Sequence, residues 1–473
     1  MKSYDAIVIG GGLLGCFAAR NLTRYNLSCA LIEAGNDVCT GISKTNTAVV
    51  YGSQDNMPGT LKARICKNAC DNFGTLCKNL HTEFKRCGSL MVCFGERGLK
   101  KLDRCYQRGC ENGVENLRML ETDEILSLEP ELNPGLFRAL YAENTGTVNP
   151  WRLCVGAAEN AVQNGAEMLF NTPVKSLLYE NGLYRVICEG CEFTAKCVVN
   201  CAGLNADKLN FTLGVRDVCI VPTRADYIVT GETLGNLISH VIFYETESRG
   251  KGITLVPTTE GNLLLGPSEL PVEGTPDTEA KADGIEFVRQ CAKLVLPDID
   301  LSKTVRAFAG LRPNPFYCDI LPDGTPAVSD KSIKDFAIIM PEDRPGYISF
   351  AGIKTPGMTC ADGLGRLAAK KCAGVLGAGI NPAFSPSLPP EPEISGGKIV
   401  CRCKKVTEAE IVRAIRANPS AATVDGVKRR TGCGLGECQG SRCTDRIARL
   451  ISRELNIPLS EVYKGENGSW IMR

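Results

Sequence analysis

The 473-residue sequence predicts an α/β fold in three parts. Three observations predict it. A glycine-rich turn near the N-terminus sits between a β-branched run and a helical pattern. The second half of the body alternates in strand fashion. A proline-rich run near residue 380 then sets apart a short end that carries paired cysteines.

In the first part, SYDAIVIGGGLLGCFAARNLTRYNLSCALIEAG reads as strand, tight turn, helix, strand. Gly10, Gly12 and Gly15 give G-x-G-x-x-G, with a helix expected from about Leu13 to Arg24 and a second strand, CALIE, ending at Glu33. The first glycine makes the turn, the second lets the backbone approach a pyrophosphate, and the third lets the helix pack on the strand. The helix N-terminus presents free N–H groups to the anion. Glu33 stands 18 residues past Gly15, near the spacing of an acid that bonds an adenosine ribose. The turn marks a dinucleotide site without separating FAD from NAD.

Residues 43–54, SKTNTAVVYGSQ, read as a plain loop after the second strand or as a segment running along a cofactor's ring. Residues 57–80 carry Leu61, Ile65, Ala69, Phe73, Leu76 and Leu80 near helical spacing. Cys66, Cys70 and Cys77 fall on a related face and are expected in the core. Residues 146–169 read as turn, amphipathic helix and strand; 184–209 read as a hairpin turning at Glu189–Gly190 and then a buried strand. The Cys188/Cys191 pair lies outside any βαβ setting and has no second pair beside it, so it reads as structural.

From Val218 to Asp330 strands alternate, with turns at Glu260–Gly261–Asn262 and Asp323–Gly324, which predicts a mixed or antiparallel sheet. YISFAGI (347–353) returns to an apolar strand, followed by a glycine-containing turn and a helix.

A net charge of +1 argues against a nucleic-acid binder. No run reaches the roughly 18–20 apolar residues of a membrane span, and the N-terminal apolar stretch lacks the flanks of a signal peptide. The expectation is a cytoplasmic protein, without direct membrane insertion, that reaches a membrane only through a partner. The 25 cysteines in so long a chain fit a reducing compartment. Cys29, Cys154, Cys201 and Cys219 sit in apolar contexts and read as small core residues. Two histidines, His81 and His240, exclude a histidine-rich metal site.

VVNCAGLNAD, KGITLVPTTEGNLLLGPSE, AFAGLRPNP and SFAGIKTPGMTCADGLG, with the N-terminal turn, resemble FAD-dependent oxidoreductases of the D-amino-acid-oxidase superfamily across about residues 3–378. Within it the chain is most similar to catalytic subunits of anaerobic glycerol-3-phosphate dehydrogenases, with L-2-hydroxyglutarate oxidases near. The resemblance implies a Rossmann-type FAD-binding domain assembled from 1–75, 147–215 and 346–378, and a mixed-sheet substrate domain from 76–146 and 216–345. It implies FAD contacts from Gly10, Gly12, Gly15, Glu33, Ser43, Thr45, Asn46, Ala202, Gly203, Gly310, Gly352, Gly357, Met358 and Thr359, with 352–357 near the flavin ring. Relatives often carry a histidine where this chain has Tyr51, so substrate identity does not carry over on that stretch.

A small anionic substrate needs fixed cations. By analogy Arg312 lies in the substrate pocket, where its planar fork suits a carboxylate or phosphate. Lys354 is a second cation, placed to stabilise charge on a reduced flavin or to clamp substrate. A general base is required; His240 and Tyr51 are the candidates, although His240 also reads as a satisfied strand histidine. Arg249 and Lys251 read as solvated turn charges.

Beyond the proline-rich linker (379–397) comes the module 398–473. Thr407 with Glu410 predicts a capped helix start. Four thiolates in so small a module can hold [2Fe–2S] or zinc. CRC at 401–403 with CQGSRC at 438–443 resembles the bacterioferritin-associated-ferredoxin-like [2Fe–2S] domain, a small helical unit. That resemblance implies Cys401, Cys403, Cys438 and Cys443 as ligands, with Cys433 a fifth thiol in competition. Lys428, Arg429 and Arg430 read either as offsets to cluster charge or a greeting surface for an acidic partner, or as a solvated face.

The combined expectation is an FAD and [2Fe–2S] dehydrogenase acting on sn-glycerol 3-phosphate. Electrons would pass to an accepting subunit or carrier in a hetero-oligomer. The rivals are a 2-hydroxy acid or secondary amino acid dehydrogenase, and an electron-transfer subunit with no substrate of its own.

Overall fold

The computed structural model describes residues 2–246, 252–272, 277–392 and 397–471, so Arg249 and Lys251 lie outside the described residues. The fold is α/β with two large sheets and a small helical end.

The N-terminal pattern folds as read. Strand β1 (Lys2–Ile9) leads through the glycine turn into helix α1 (Leu13–Leu22) and strand β2 (Cys29–Ile32). β1 pairs in parallel with β2 on one side and with the strand Glu192–Asn200 on the other. Beyond Glu192–Asn200 the sheet continues through the antiparallel strands Leu183–Cys188 and Val174–Glu180, and beyond β2 through Glu167–Leu169. Tyr347–Ala351 joins in parallel at the C-terminal end of Glu192–Asn200. The chain thus returns twice to the sheet that its first strands begin, which is what a discontinuous dinucleotide domain requires.

Helices cover this sheet because their small residues permit close approach. α1 packs on the helix Gly357–Leu376, where Gly365 lies against the Phe17 carbonyl. Phe17, Leu22, Leu31, Phe73 and Leu364 are fully buried there. The helix Leu61–Asn79 contributes Cys66, Cys70 and Cys77 to the same core.

The second sheet is mixed and mostly antiparallel, and its strands come from Ser89–Glu121, Arg138–Ala142 and 218–332. Its spine is the ribbon of Val218–Thr230 against Thr304–Ile320. The expected turns are present: Gly261 and Gly324 both adopt φ +82. One expectation changes. Cys219 is not an isolated core thiol; it forms a disulfide with Cys318, because the ribbon brings their Cα atoms to 5.5 Å.

The proline-rich stretch is strapped to the body along its first part. Asn160 and Asn164 donate to the Ser385 carbonyl at 3.1 and 2.9 Å, and the buried Arg20 donates to Pro386 O at 2.8 Å. The module beyond it folds around Val400, Ile411, Val427, Ile447 and Ile451. Thr407 and Glu410 form the expected reciprocal cap on the helix Glu408–Arg416. No helix among the described residues is long and apolar enough to cross a membrane.

Candidate active site and thiol cluster

A cavity of about 1450 Å³ opens along the C-terminal edge of the first sheet and runs to the second. It exceeds the 300–1,000 Å³ of an ordinary small-ligand pocket, which suits a dinucleotide together with a small substrate.

At one end lies the glycine turn. Gly10 holds φ +105 with its nitrogen donating to Ile32 O at 2.8 Å, and a Cβ there would meet the Cys201 carbonyl. A Cβ on Gly15 would collide with the Gly10 carbonyl, which is why the third glycine is buried beneath the turn rather than lining the cavity. Glu33 is held by backbone: its Oε2 accepts from Gly11 N at 2.5 Å and its Oε1 from Gly35 N at 2.7 Å. That grip aims the carboxylate along the cavity wall. Ser43 Oγ accepts from Leu13 N at 2.9 Å, at the first turn of α1.

Residues 43–54 run along the cavity rather than away from it. Ser43, Thr45, Asn46 and Tyr51 line it, opposite Ala202, Gly203, Gly310, Gly357, Met358 and Thr359. Thr359 Oγ1 accepts from Tyr51 N at 3.1 Å and ties this segment to the helix Gly357–Leu376. Gly310 permits the close approach of Thr45, whose side chain a Cβ would strike. Ala202, Gly203, Gly310 and Gly357 leave little side-chain bulk on this stretch of wall, which suits a flat ring. Gly352 departs from expectation. It turns at φ +68 where a Cβ would strike the Pro315 ring, and it does not line the cavity, although Phe350 and Ile353 on either side do.

At the far end stand the cations. Arg312 Nη1 donates to Glu269 Oε2 at 2.7 Å and Nη2 to Thr355 Oγ1 at 3.2 Å. Lys354 Nζ donates to Asn314 Oδ1 at 2.8 Å. Tyr227, stacked on Phe308, forms part of the same wall. Glu269 and Thr355 were not singled out from sequence, although both fall inside motifs that were, GPSE and KTPG.

The two base candidates fare differently. Tyr51 lines the cavity, but burial pushes its phenol pKa above the usual value, so it keeps its proton. His240 is outside the cavity lining. Its Nδ1 lies 2.6 Å from Glu129 Oε1, and the same carboxylate oxygen accepts from the backbone of Ser239 and His240. His240 is satisfied in this way in the bend just before the strand Val241–Tyr244 rather than within a strand.

In the C-terminal module the Sγ atoms of Cys401, Cys433 and Cys443 lie within 4.8 Å of one another, all buried. Cys403 and Cys438 form a second, half-buried pair with Sγ atoms 3.6 Å apart. Two adjoining thiol groups with no histidine or carboxylate among them fit a two-iron centre held by soft ligands. The four expected ligands fall in two groups: Cys401 and Cys443 sit with Cys433, and Cys403 sits with Cys438.

The basic run does not face solvent. Arg429 and Arg430 reach across to Asp37, in the loop after β2, at 2.6 and 2.8 Å, with all three side chains buried. Lys428 pairs with Asp425 at 2.6 Å. Periodicity placed these residues on a helix face but could not show that the face docks. The module also touches the second sheet, where Lys404 pairs with Glu260 and Glu232 at 3.2 and 3.3 Å.

Comparison with known proteins agrees with this geometry. Residues 5–371 match the model of the FAD dependent oxidoreductase family, and 399–453 match that of the BFD-like [2Fe-2S] binding domain. A glycerol 3-phosphate dehydrogenase of Caloramator mitchellensis is 35% identical over 99% of this chain and 98% of its own length. A glycerol 3-phosphate oxidase of Mycoplasma pneumoniae is 27% identical over 78% of this chain and 94% of its own. Among solved structures, the dithionite-reduced L-alpha-glycerophosphate oxidase of Mycoplasma pneumoniae with FAD bound superposes with a TM-score of 0.73. It is 25% identical and covers 82% of this chain and 99% of that one. The glycine turn, the small-residue wall and the matched span together make this chain a member of the FAD dependent oxidoreductase family, with a BFD-like [2Fe–2S] domain at its C-terminal end.

Proposed function

We propose that the protein is a dehydrogenase that oxidises sn-glycerol 3-phosphate to dihydroxyacetone phosphate and delivers the electrons to a partner protein. The observation that carries the reading is the pair of cations, Arg312 and Lys354, at the substrate end of a dinucleotide cavity in a chain so similar to a glycerol 3-phosphate dehydrogenase. FAD, when bound, supplies two-electron acceptance and a [2Fe–2S] cluster supplies one-electron carriage.

The chain's own residues do the rest. The fork of Arg312 grips the substrate phosphate, oriented by Glu269 and Thr355. Lys354, held by Asn314, adds a second positive charge. Tyr51 keeps its hydroxyl proton and positions substrate by hydrogen bonding rather than by removing a proton. The glycines and small residues from 10 to 46, with 202–203, 310 and 357–359, bind the dinucleotide. Cys401, Cys403, Cys438 and Cys443 hold the cluster. In this reading 1–75, 147–215 and 346–378 form the FAD domain, 76–146 and 216–345 the substrate domain, and 398–473 the cluster domain.

The half-buried Cys403/Cys438 edge is flanked by exposed Arg402, Lys405, Arg442 and Arg446, which suit an acidic electron-accepting subunit or carrier. The protein would then work in the cytoplasm as part of a hetero-oligomer, peripheral to a membrane when its partner is there.

Anaerobic titration read by flavin absorbance tests the substrate. Bleaching by glycerol 3-phosphate supports the proposal. Bleaching only by L-2-hydroxyglutarate or by an amino acid moves the substrate class. Reduction only by a partner protein makes the chain an electron-transfer subunit.

A further inference from the structure

We infer that the cysteine-bearing module is also part of the flavin site: its loop 464–469 walls off the adenosine end of the cavity, with Glu466 and Asn467 as FAD-contacting residues. This rests on the FAD reading above. Both residues line the cavity, at the end defined by Glu33, Asn36 and Thr172. Asn467 Nδ2 donates to Asn171 Oδ1 at 2.9 Å, and Asn36 Nδ2 donates to Asn467 Oδ1 and to Gly465 O, both at 2.9 Å. Lys44 Nζ pairs with Glu466 Oε1 at 3.1 Å. The loop therefore bridges the segments after β2 and after Glu167–Leu169, at the Glu33 end of the cavity.

The loop is a built structure rather than a trailing end. Lys464 N donates to Ser469 O at 2.8 Å, Gly465 N to Ser469 Oγ at 2.9 Å, and Tyr463 bridges to Trp470 across its base. The base is fixed in turn, since Asp425 N donates to Lys464 O at 2.7 Å. Asp425 opens the helix Val424–Thr431, whose Arg429 and Arg430 grip Asp37, four residues past Glu33. The ribose acid and the module are thus joined by one run of contacts. Asn467 uses one amide N–H on Asn171 and one lone pair on Asn36; its second N–H and second lone pair give the donor and acceptor that a ribose hydroxyl or purine edge requires. The Lys44 partner offsets the charge of Glu466.

Whatever the module adds to FAD affinity, FAD must return to module docking by the same factor. This gives two readouts in the full-length protein, neither of them turnover. FAD stripped from the protein is titrated back and followed by flavin fluorescence. Asn467→Ala combined with Glu466→Ala is expected to weaken FAD binding at least tenfold, with iron content and cluster absorbance unchanged. Arg453→Ala, on an exposed face of the same module, is expected to bind FAD as the parent does. In the unmutated protein, adding FAD to the stripped form is expected to slow amide exchange across 464–469 at least fivefold. FAD affinity within twofold of the parent in the double variant, or exchange in 464–469 indifferent to FAD, overturns the inference alone. A parent that binds no FAD overturns the cofactor reading and the inference with it.

Discussion

Arg312 Nη1 lies 2.7 Å from Glu269 Oε2, so the forked cation of the cavity meets its substrate already paired with a carboxylate of the same wall. The pair is about one-fifth exposed on both sides, and with one Nη2 hydrogen given to Thr355 the remaining N–H groups can meet a ligand. Arg312→Ala is expected to lower kcat/KM about a hundred- to thousandfold, the loss of two charge-assisted hydrogen bonds. Arg312→Lys is expected to recover little of it, because a point charge cannot replace the fork. Glu269→Gln removes a competing negative charge and is expected to lower KM for an anionic substrate. Steady-state kinetics with an artificial acceptor checks all three.

Tyr51 gives a pH prediction. Burial raises its pKa above the usual 10, so the phenol is protonated at and around neutral pH. Tyr51→Phe is expected to change KM or kcat without removing any ionisation from the pH profile between about pH 6 and 9. A limb of the profile that disappears in Tyr51→Phe would show a base where this site has a hydrogen-bond donor.

The docked module gives a second. Burial alone would push the Asp37 carboxyl up, but Arg430 and Arg429 outweigh it and hold its pKa below the usual carboxylate value. A carboxyl depressed in the folded state stabilises fully above its unfolded pKa of about 3.9, and that contribution fades as pH falls toward the folded value. Thermal melting from pH 7 down to 3 is expected to show the module loosening only below about pH 4. Asp37→Ala leaves two buried guanidiniums without their partner and is expected to cost about 3–5 kcal/mol, read as a lowered melting temperature.

The five thiols separate by substitution. Cys403→Ser, Cys438→Ser, Cys401→Ser and Cys443→Ser are each expected to lose cluster absorbance and iron. Cys433→Ser is expected to retain about two irons per chain with an altered EPR line shape, because its sulfur lies against Cys401 and Cys443. Iron analysis and EPR of dithionite-reduced protein check this. A Cys433→Ser protein without iron would exchange the roles of Cys433 and one of the other two buried thiols.

What sequence could convey follows the range of each interaction. The glycine turn, the Thr407 cap and the hairpin turns are set within a few residues, so local pattern revealed them. The segment 43–54 stayed open between a plain loop and a cavity wall, because its small residues fit either use. Contacts that depend on sheet register were invisible. Glu269 reaches Arg312 across 43 residues, and Cys219 meets Cys318 across 99. Asp37 and the two arginines are 392 and 393 positions apart, so a docking face read as an exposed basic run. The ion-pairing partner of His240 was hidden for the same reason, since Glu129 lies 111 residues away.

The wall formed by Glu466 and Asn467 has a consequence for biosynthesis. Chains emerge from the ribosome N-terminus first, at about 5–20 residues per second. The glycine turn, the small-residue wall and the Arg312 ribbon are all complete while the loop 464–469 is still unmade. For those seconds the cavity has a floor and sides but no end wall, which would leave the nascent chain a doorway for its cofactor that closes when the loop docks.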